Sequence, residues 1–501
     1  MRRIIRQIAS LVMALMMISS LTITGFAEEL PAIPAAIASA YKTAFIMQGD
    51  TESESDCRAT VNGLIDSGSY IVQSISTTGW HYTDRNTSEI YPTMLVSATQ
   101  FARAKNYDFA YYSGHGGWDS DLHPVINYCS SSDKQIDVAE TLSVNTSSWS
   151  TSCVWQPADR LRVLMLSSCS QLDSRIMQYY ARAMRASGIR VIAGYHEVSP
   201  GTGVDTYIAN SFFAYALDGN SVKYSWQYGN TFADSIEPWA VLVYTENGNE
   251  YYRIPGFPGS SYHPPSSTAT VYRFRSGLSG SEIVTTSTQT GTVLNTEGLP
   301  LYLSLVPRTD LIEYDGREPV SLGSSISSNS SVSLVNATQD DIGAIVTNAL
   351  PANYQCVQTP VYRDEVNLDG GAVAGSETVV EYIYHFFDTY NGIKIADSSI
   401  VVGVDADGIY AVKDYRKNIA NTAVPMDVSV TVTNTDLITS NTALSCLDNV
   451  EEFGDFELLR SELVYAPIED GSTTYKLCYQ LLGTDSRIAY VDAATGAVLN
   501  I

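Results

Sequence analysis

The sequence predicts an α/β protein with a helix-covered, mainly parallel sheet, followed by a β-rich middle region and a small α+β C-terminal domain. Between residues 40 and 255, short apolar runs alternate with helical stretches, the pattern of a sheet covered by helices. The segment PGFPGSSYHPPSSTAT, which begins at Pro255, is typical of a linker. A chain of 501 residues also exceeds one compact core, so we expect domains at 40–255, 256–350 and 351–501.

The first domain is predicted to contain five strands joined by crossover helices. Parallel neighbours require such crossovers, because the chain must return to the same end of the sheet before the next strand begins. The apolar runs place strands at 42–48, 69–76, 107–113, 161–167 and 189–194. Helical periodicity places helices near 55–66, 88–105, 171–187 and 202–217.

The C-terminal domain is predicted to combine two helices with an antiparallel sheet. The segment SETVVEYIYHFFDT predicts a helix over 376–389, and a second, shorter helix is expected near 441–449. Further strands are expected on either side of 405–408 and at 460–466, 474–482, 486–492 and 496–500.

The N-terminus has the composition of a secretory signal peptide. Three arginines precede an apolar run, and small residues lead up to Ala27. We therefore expect residues 1–27 to be removed by cleavage after Ala27, and the mature protein to be secreted.

The chain is strongly acidic, with a formal net charge of −25 that becomes −28 when the three arginines of the signal peptide are removed. Such a charge repels nucleic acid and anionic lipid, which argues against both as partners. No segment after the signal peptide offers the 18 nearly unbroken apolar residues of a membrane-spanning helix. The sequence therefore predicts a soluble protein without stable membrane insertion.

Two predicted strands end in residues that could carry chemistry. YDFAYYSGHGGW places His115 at the end of one strand, and LRVLMLSSCSQ places Cys169 at the end of the next. The carboxyl ends of parallel strands meet at one edge, where open α/β sheets gather functional groups. A nearby imidazole and the start of the predicted 171–187 helix would both favour the thiolate of Cys169. The backbone N–H groups of Gly116 and Cys169 could then bind an oxyanion.

The order of strand, SGHG, long loop, strand and terminal cysteine resembles that of the caspase-like cysteine peptidases, and the secreted, gingipain-like members are the most similar in context. The resemblance covers about residues 40–255. It implies a caspase-like fold, peptide-bond hydrolysis by a dyad of His115 and Cys169, and Gly116 as an oxyanion contributor. A peptide or protein would be the substrate, and no cofactor or metal is expected.

Members of this family cleave after a charged or amide side chain, so the resemblance directs attention to residues that could line a specificity pocket. An acidic lining would favour arginine or lysine in the substrate, assisted by the negative field of the chain. The acidic candidates are Asp119, Asp121, Asp173, Glu197 and Asp205.

The C-terminal domain carries a second resemblance. The stretch YNGIKIADSSIVVGVDADGIYAV and the closing IAYVDAATGAVLNI are similar to the PepSY-type propeptide modules of secreted bacterial peptidases. That similarity implies a folding aid or an intramolecular inhibitor, here placed after the enzyme-like domain.

Two other classes of function stay open. The first is a catalytically inactive extracellular binding protein on the same fold. The second is a zinc-dependent hydrolase, because HGGWDSDLH could supply His115, Asp119, Asp121 and His123 as ligands, although its glycines disfavour the helix that this spacing would need. The odd number of cysteines, seven, leaves at least one unpaired within the chain, and a disulfide between Cys129 and Cys153 is one hypothesis.

Overall fold

The protein is mixed α/β, as predicted, and it divides into two compact units. The computed structural model describes residues 41–50, 53–76, 89–90, 96–126, 135–143, 153–156, 159–200, 204–231, 238–245, 252–260, 269–276, 284–287, 299–308, 313–315, 354–367, 371–405, 408–420, 431–432, 437–448, 450, 453, 456, 458–469, 472–483 and 488–499. The expected signal peptide lies outside these residues. None of the helices within these ranges has the length and apolar composition of a membrane-spanning segment.

The first unit contains most of the chain up to Arg275, together with residues 363–377. Its strands are β1 (Lys42–Gln48), β2 (Tyr70–Ser76), β3 (Glu89–Ile90), β4 (Phe109–Ser113), β5 (Gly116–Trp118), β6 (Pro124–Ile126), β7 (Ile136–Asp137), β8 (Val163–Ser167), β9 (Val191–Tyr195), β10 (Trp239–Thr245) and β11 (Thr270–Ser276). The main sheet runs in the order β3-β2-β1-β4-β8-β9-β10-β11. All pairs from β3 to β9 are parallel, and β10 and β11 are each antiparallel to the strand before them.

The five predicted strands of this region are confirmed, with ends that differ by up to two residues. Both faces of β4, β8 and β9 are buried along their whole length, which explains why their sequences are continuous apolar runs without alternation. Strands β5, β6 and β7 form a separate antiparallel sheet in the segment that follows His115.

The helices of the first unit agree less well with the prediction. They are α1 (Glu54–Asp66), α2 (Ala98–Arg103), α3 (Val138–Thr141), α4 (Met177–Ala186), α5 (Val204–Leu217) and α6 (Val222–Thr231), with a 3₁₀ turn at Ala104–Asn106. The predicted 88–105 helix was wrong in extent, because residues 89–90 are a strand and α2 begins only where Ser97 caps it. The predicted 171–187 helix was wrong at its start, because residues 168–176 form a loop first.

Helices α1 and α5 pack against each other at a glycine. A Cβ atom added to Gly63 would lie 2.2 Å from Cγ of Phe213, far inside van der Waals contact. Gly63 therefore allows α1 to approach α5 closely, although glycine inside a helix costs about 1 kcal/mol in helix propensity. The core of the unit contains aromatic and aliphatic side chains from the strands and from α4, among them Phe45, Tyr112, Leu166 and Tyr180.

Residues 363–377 join the first unit through a buried ion pair. Arg273 on β11 donates to both carboxylate oxygens of Asp364, at 3.1 and 2.6 Å, and both side chains are almost fully buried. The same guanidinium lies 3.4 Å from the carbonyl oxygen of Leu172. The ion pair is therefore in contact with the loop that follows Cys169.

The second unit is mainly antiparallel. Its strands, with two that lie partly or wholly in residues 363–377, are β12 (Val284–Ser287), β13 (Leu299–Pro300), β14 (Tyr302–Pro307), β15 (Glu313–Asp315), β16 (Tyr354–Asn367), β17 (Gly371–Ala372), β18 (Thr378–Tyr390), β19 (Ile393–Asp405), β20 (Gly408–Asp414), β21 (Lys417–Ile419), β22 (Thr431–Val432), β23 (Leu458–Pro467), β24 (Thr474–Gly483), β25 (Ile488–Asp492) and β26 (Val498–Leu499). β19 is antiparallel to β18 and β20 and parallel to β23, after which β24, β25 and β26 follow as an antiparallel meander.

The predicted helix over 376–389 was wrong, because this segment is the long strand β18. Its residues are mostly β-branched or aromatic, and such side chains prefer the pleated surface of a sheet to a helix. Cross-strand pairing with β19 along most of its length overrides the apparent helical spacing of apolar residues. The shorter predicted helix is confirmed as α7 (Ser440–Leu447), capped by Thr439 and packed through Ala443 and Leu447 on the meander.

Candidate active site

Three neighbouring parallel strands of the first unit end in register. Gln48, Ser113 and Ser167 are direct partners across β1, β4 and β8. The N–H of Gly49 donates to the Ser113 carbonyl at 2.7 Å, and the N–H of Gly114 donates to the Ser167 carbonyl at 3.2 Å, so the pairing continues one residue beyond. The next residue of each chain segment is a polar one that could act chemically: Asp50, His115 and Cys169.

His115 lies in the short link between β4 and β5, with 58% of its side chain exposed. Its Nε2 atom lies 3.9 Å from Oδ2 of Asp50. The other oxygen of Asp50 accepts hydrogen bonds from the backbone N–H and the hydroxyl of Ser53, at 2.9 and 2.6 Å. Ser53 therefore fixes the carboxylate with its second oxygen directed towards the imidazole.

The turn before His115 requires a glycine at position 114. It has φ of +149°, where other residues are strained, and an added Cβ would lie 3.0 Å from Cα of Gly49. The hydroxyl of Tyr112 donates to the His115 carbonyl at 2.9 Å and holds the turn from below.

Cys169 is a free thiol of intermediate burial. Its Sγ atom lies 3.3 Å from the hydroxyl oxygen of Ser199, and the backbone N–H of Ser199 points at the sulfur from 3.4 Å. Ser199 follows β9, the next parallel strand, so a fourth strand end contributes to the same edge. The thiol thus has two hydrogen-bond donors within reach, and both would stabilise a thiolate.

The helix start that the sequence analysis assigned to Cys169 was wrong. Ser170 adopts the left-handed conformation, with φ of +57°, and the chain then forms a loop closed by Asp173. Helix α4 begins only at Met177. The dipole of a helix falls off within its first turn, so α4 does not act on this thiol.

Strand β5 packs directly on the loop that carries the cysteine. A Cβ atom at Gly116 would lie 1.9 Å from Oγ of Ser168 and 3.1 Å from the carbonyl oxygen of Cys169. The buried amide of Gln171 completes this contact, since its Nε2 lies 3.0–3.3 Å from the carbonyl oxygens of Val125, Cys169 and Gly117. Gln171 in turn accepts a hydrogen bond from the hydroxyl of Tyr180 on α4.

A cavity opens at this edge of the sheet, with a volume of about 380 Å³ that includes the open solvent at its mouth. Its lining contains Asp50, Ser53, Ser113, Gly114, His115, Ser167, Cys169, Ser199, Pro200 and Asp205. The histidine and the cysteine that the sequence singles out therefore line one cavity, together with two carboxylates.

A fully buried carboxyl group lies beneath the cavity. Asp56 on α1 accepts hydrogen bonds from the hydroxyl of Tyr111, at 2.5 Å, and from the N–H of Cys57, at 2.8 Å, and it also bonds to Ser113. Burial raises the pKa of Asp56 to about 6, an effect that these hydrogen bonds only partly offset and that the charge of Asp50 reinforces.

The acidic candidates for substrate recognition lie in different places. Asp205, at the start of α5, lines the cavity. Asp173 is held by Arg175 in a two-pronged ion pair at 2.8 and 2.9 Å, and Oε1 of Glu197 lies 3.8 Å from the ring of His196. Asp119 and Asp121 lie in the turn between β5 and β6.

The structure brings together only some of the four candidate ligands of the alternative zinc site. His123 and Asp119 come together as that hypothesis requires, but their third neighbour is Asp137, whereas His115 belongs to the cavity. The hypothesis of a disulfide between Cys129 and Cys153 involves Cys129, which lies outside the described residues, while Cys153 is buried.

Sequence reasoning missed Asp50 and Ser199. The signal for Asp50 was its position two residues after the end of the first predicted strand, the same spacing as His115 and Cys169 have after theirs. The importance of this spacing depends on β1 lying beside β4, which the sequence does not show.

No family model matches the chain, and a search of curated proteins found no relative. The geometry at this edge of the sheet therefore carries the functional interpretation.

Proposed function

We propose that the protein is a secreted cysteine endopeptidase with a caspase-like first unit, in which Cys169 and His115 form the catalytic dyad. The observation that carries this proposal is the register of β1, β4 and β8. It aligns Asp50, His115 and Cys169 two residues beyond three paired positions, beside one cavity. The signal-like N-terminus supports secretion.

In this mechanism His115 accepts the proton of the Cys169 thiol, and the sulfur attacks the carbonyl carbon of the scissile peptide bond. The tetrahedral intermediate collapses as His115 returns the proton to the leaving amine, which leaves a thioester on Cys169. Water, deprotonated by the same imidazole, then hydrolyses the thioester and restores the thiol. The exposed position of His115 suits this role, because the ring lines the same cavity as Cys169 and is accessible to an incoming substrate.

The surrounding groups have supporting roles. Asp50 faces Nε2 of His115 and would stabilise the imidazolium that forms when the thiol is deprotonated. The Ser199 hydroxyl and N–H would hold the sulfur and stabilise its anionic form. The amides of Gly116 and Cys169 are the proposed donors to the oxyanion, and the absence of a side chain at Gly116 lets β5 approach the cysteine loop.

The cavity favours a basic side chain next to the scissile bond. Asp50 and Asp205 both line it, and the formal charge of the whole chain is −25. Carboxylates at a partly closed site attract arginine and lysine and repel aspartate and glutamate. Of the acidic candidates, we assign this role to Asp205.

The test is cleavage of a peptide library by the full chain and by two cysteine variants. Among the described cysteines, only Cys169 and Cys446 are partly exposed, while the other four are buried. We expect Cys169→Ala to abolish cleavage and Cys446→Ala to retain it. We also expect peptides with arginine or lysine before the cut to be hydrolysed fastest, and Asp205→Asn to weaken that preference.

Either of two results would contradict the proposal. If the purified full chain, in the presence of a reducing agent, cleaves no peptide in the library, or if Cys169→Ala cleaves as fast as the parent, the dyad is not catalytic. The inactive binding protein on the same fold would then be the better interpretation.

A further inference from the structure

A second cluster of metal-ligating side chains lies in the first unit, apart from the cavity. His123 precedes β6, Asp119 begins the turn that leads to it, and Asp137 ends β7. Nδ1 of His123 lies 2.7 Å from Oδ2 of Asp137 and 4.0 Å from Oδ2 of Asp119. The three ligand atoms all lie within 4.8 Å of one another.

The backbone fixes the direction of both carboxylates. Oδ1 of Asp119 accepts the N–H groups of Asp121 and His123, both at 2.9 Å, and Oδ1 of Asp137 accepts the N–H of Glu140 at 2.8 Å. In each carboxylate the second oxygen is left to face the imidazole. Tyr179 packs edge-on against that ring, with the centroids 5.2 Å apart, and restricts its rotation. Orientation of this kind is what second-shell hydrogen bonds provide at metal centres.

The distances suit a first-row transition metal. Tetrahedral zinc with bonds of about 2.0–2.1 Å needs its ligand atoms about 3.4 Å apart. The two separations from the imidazole nitrogen, 2.7 and 4.0 Å, lie on either side of this value, and all three atoms lie within 4.8 Å of one another, so small rotations of the side chains would bring them into place.

The chemistry of the donors selects the class of ion. An imidazole nitrogen with two carboxylates suits zinc and similar ions, whereas calcium and magnesium prefer ligands that are all oxygen. Between 21 and 28% of each side chain is exposed, which leaves room for a water molecule as the fourth ligand. A divalent cation would also neutralise the two carboxylates, which otherwise share a single imidazole.

We propose that Asp119, His123 and Asp137 bind a divalent transition-metal ion such as Zn²⁺. The ion would join the turn at 119–123 to β7 and so hold the β5–β6–β7 sheet closed. That sheet contacts the cysteine loop through Gly116 and Gln171, so the ion would stabilise one wall of the cavity. The proposal does not depend on peptidase activity.

The test is calorimetric titration of the full chain with Zn²⁺ after treatment with a chelator. The chain should carry Cys169→Ala, so that the thiol cannot join His115 in binding the ion at the cavity. We expect one ion per chain with a dissociation constant of micromolar or tighter, and a higher unfolding temperature in the presence of Zn²⁺. Titration with Co²⁺ should give the visible absorption of a tetrahedral site with nitrogen and oxygen ligands.

The variants separate a built site from adventitious binding. His123→Ala should abolish binding, and Asp137→Asn should weaken it at least about tenfold while keeping an acceptor for the Glu140 N–H. Asp119→Asn is the second variant if His123→Ala does not fold. Asp121→Asn is the matched control, since it removes a charge from the same turn without removing a ligand, and it should leave binding within about twofold. No binding below about 1 mM, or equal binding by the parent and His123→Ala, would overturn the proposal.

Discussion

The two units of this protein differ in where their charged and polar side chains lie. In the first, parallel strands bring all their carboxyl ends to one edge, and the polar residues that follow β1, β4, β8 and β9 line one cavity. In the second, mostly antiparallel strands alternate in direction, so successive strand ends lie at opposite edges. Charged side chains there form largely buried pairs along the strands: Arg416 with Asp414, Lys394 with Glu462, and Lys476 with Asp492.

The difference teaches that strand direction decides where reactive groups can accumulate. A parallel sheet concentrates them at one edge regardless of their separation in sequence, whereas the mainly antiparallel second unit leaves them in separate pairs along its strands. Four experiments test how far this contrast extends.

The largest effect is expected from a comparison of two histidines, one in each unit, of which only His115 should matter for activity. If the proposed dyad is catalytic, His115→Ala should lower kcat/KM by about 10²- to 10⁴-fold, because it removes the proposed general acid and base. His385 on β18 is buried and stacks on Phe387, so His385→Phe should leave the activity of the folded protein unchanged. Initial rates on one arginine-containing peptide provide the comparison. Equal losses in both variants would contradict the assignment of chemistry to the first unit alone.

The next effect concerns the buried ion pair beside the cysteine loop. Asp364→Ala should destabilise the first unit by about 3–5 kcal/mol, because it leaves the guanidinium of Arg273 buried without its partner. Glu377→Ala is the control from the same chain segment, since its pair with Arg275 is 47% exposed on the carboxylate side and should contribute less than about 1 kcal/mol. Urea unfolding measures both free energies. A small effect of Asp364→Ala would mean that residues 363–377 add little to this unit.

The buried carboxyl group under the cavity predicts a dependence of stability on pH. Folding raises the pKa of Asp56 from its ordinary 3.8 to about 6, so as pH rises through this window the unfolded chain ionises first and the folded state loses stability. The full cost, on the order of 3 kcal/mol, is present above pH 6. Asp56→Asn should remove this component, visible as a flatter curve of unfolding free energy between pH 4 and 7. An unchanged curve would show that Asp56 does not titrate in this range.

The smallest effect is expected at Ser199. Ser199→Ala removes the hydroxyl that lies 3.3 Å from the sulfur of Cys169, and the loss of a hydrogen bond to a charged group should slow alkylation of Cys169 at pH 7 by about tenfold. Alkylation of Cys446 in the same sample is an internal control. Mass spectrometry of the two labelled peptides gives both rates. Faster labelling of Cys169 would show that Ser199 shields the sulfur more than it activates it.

The sequence predicted the elements of the first unit better than their surroundings. Continuous apolar runs located β1, β4, β8 and β9, and placed His115 and Cys169 at strand ends. Asp50 could not be found in this way, because its proximity to His115 depends on the pairing of β1 with β4, which no local pattern encodes. The prediction that a helix starts directly after Cys169 was wrong because Ser170 takes a left-handed conformation that residue type does not predict. The helix predicted over 376–389 was wrong because the spacing of its apolar residues fits a helix as well as a strand until the partner strand is known, although the residue types favour a strand.

The register that aligns the three strand ends also sets which changes of chain length this site can accept. Inserting or deleting one residue inside β1, β4 or β8 would shift one reactive group by about 3.3 Å and turn its side chain to the opposite face, while the other two stayed in place. The chain between Trp118 and Val163 contains β6, β7 and α3 but none of these three strands, so a change of length in a connection between those elements leaves the register of β4 and β8 unchanged. We therefore expect natural variation and engineered insertions to be tolerated in those connections and excluded from β1, β4 and β8.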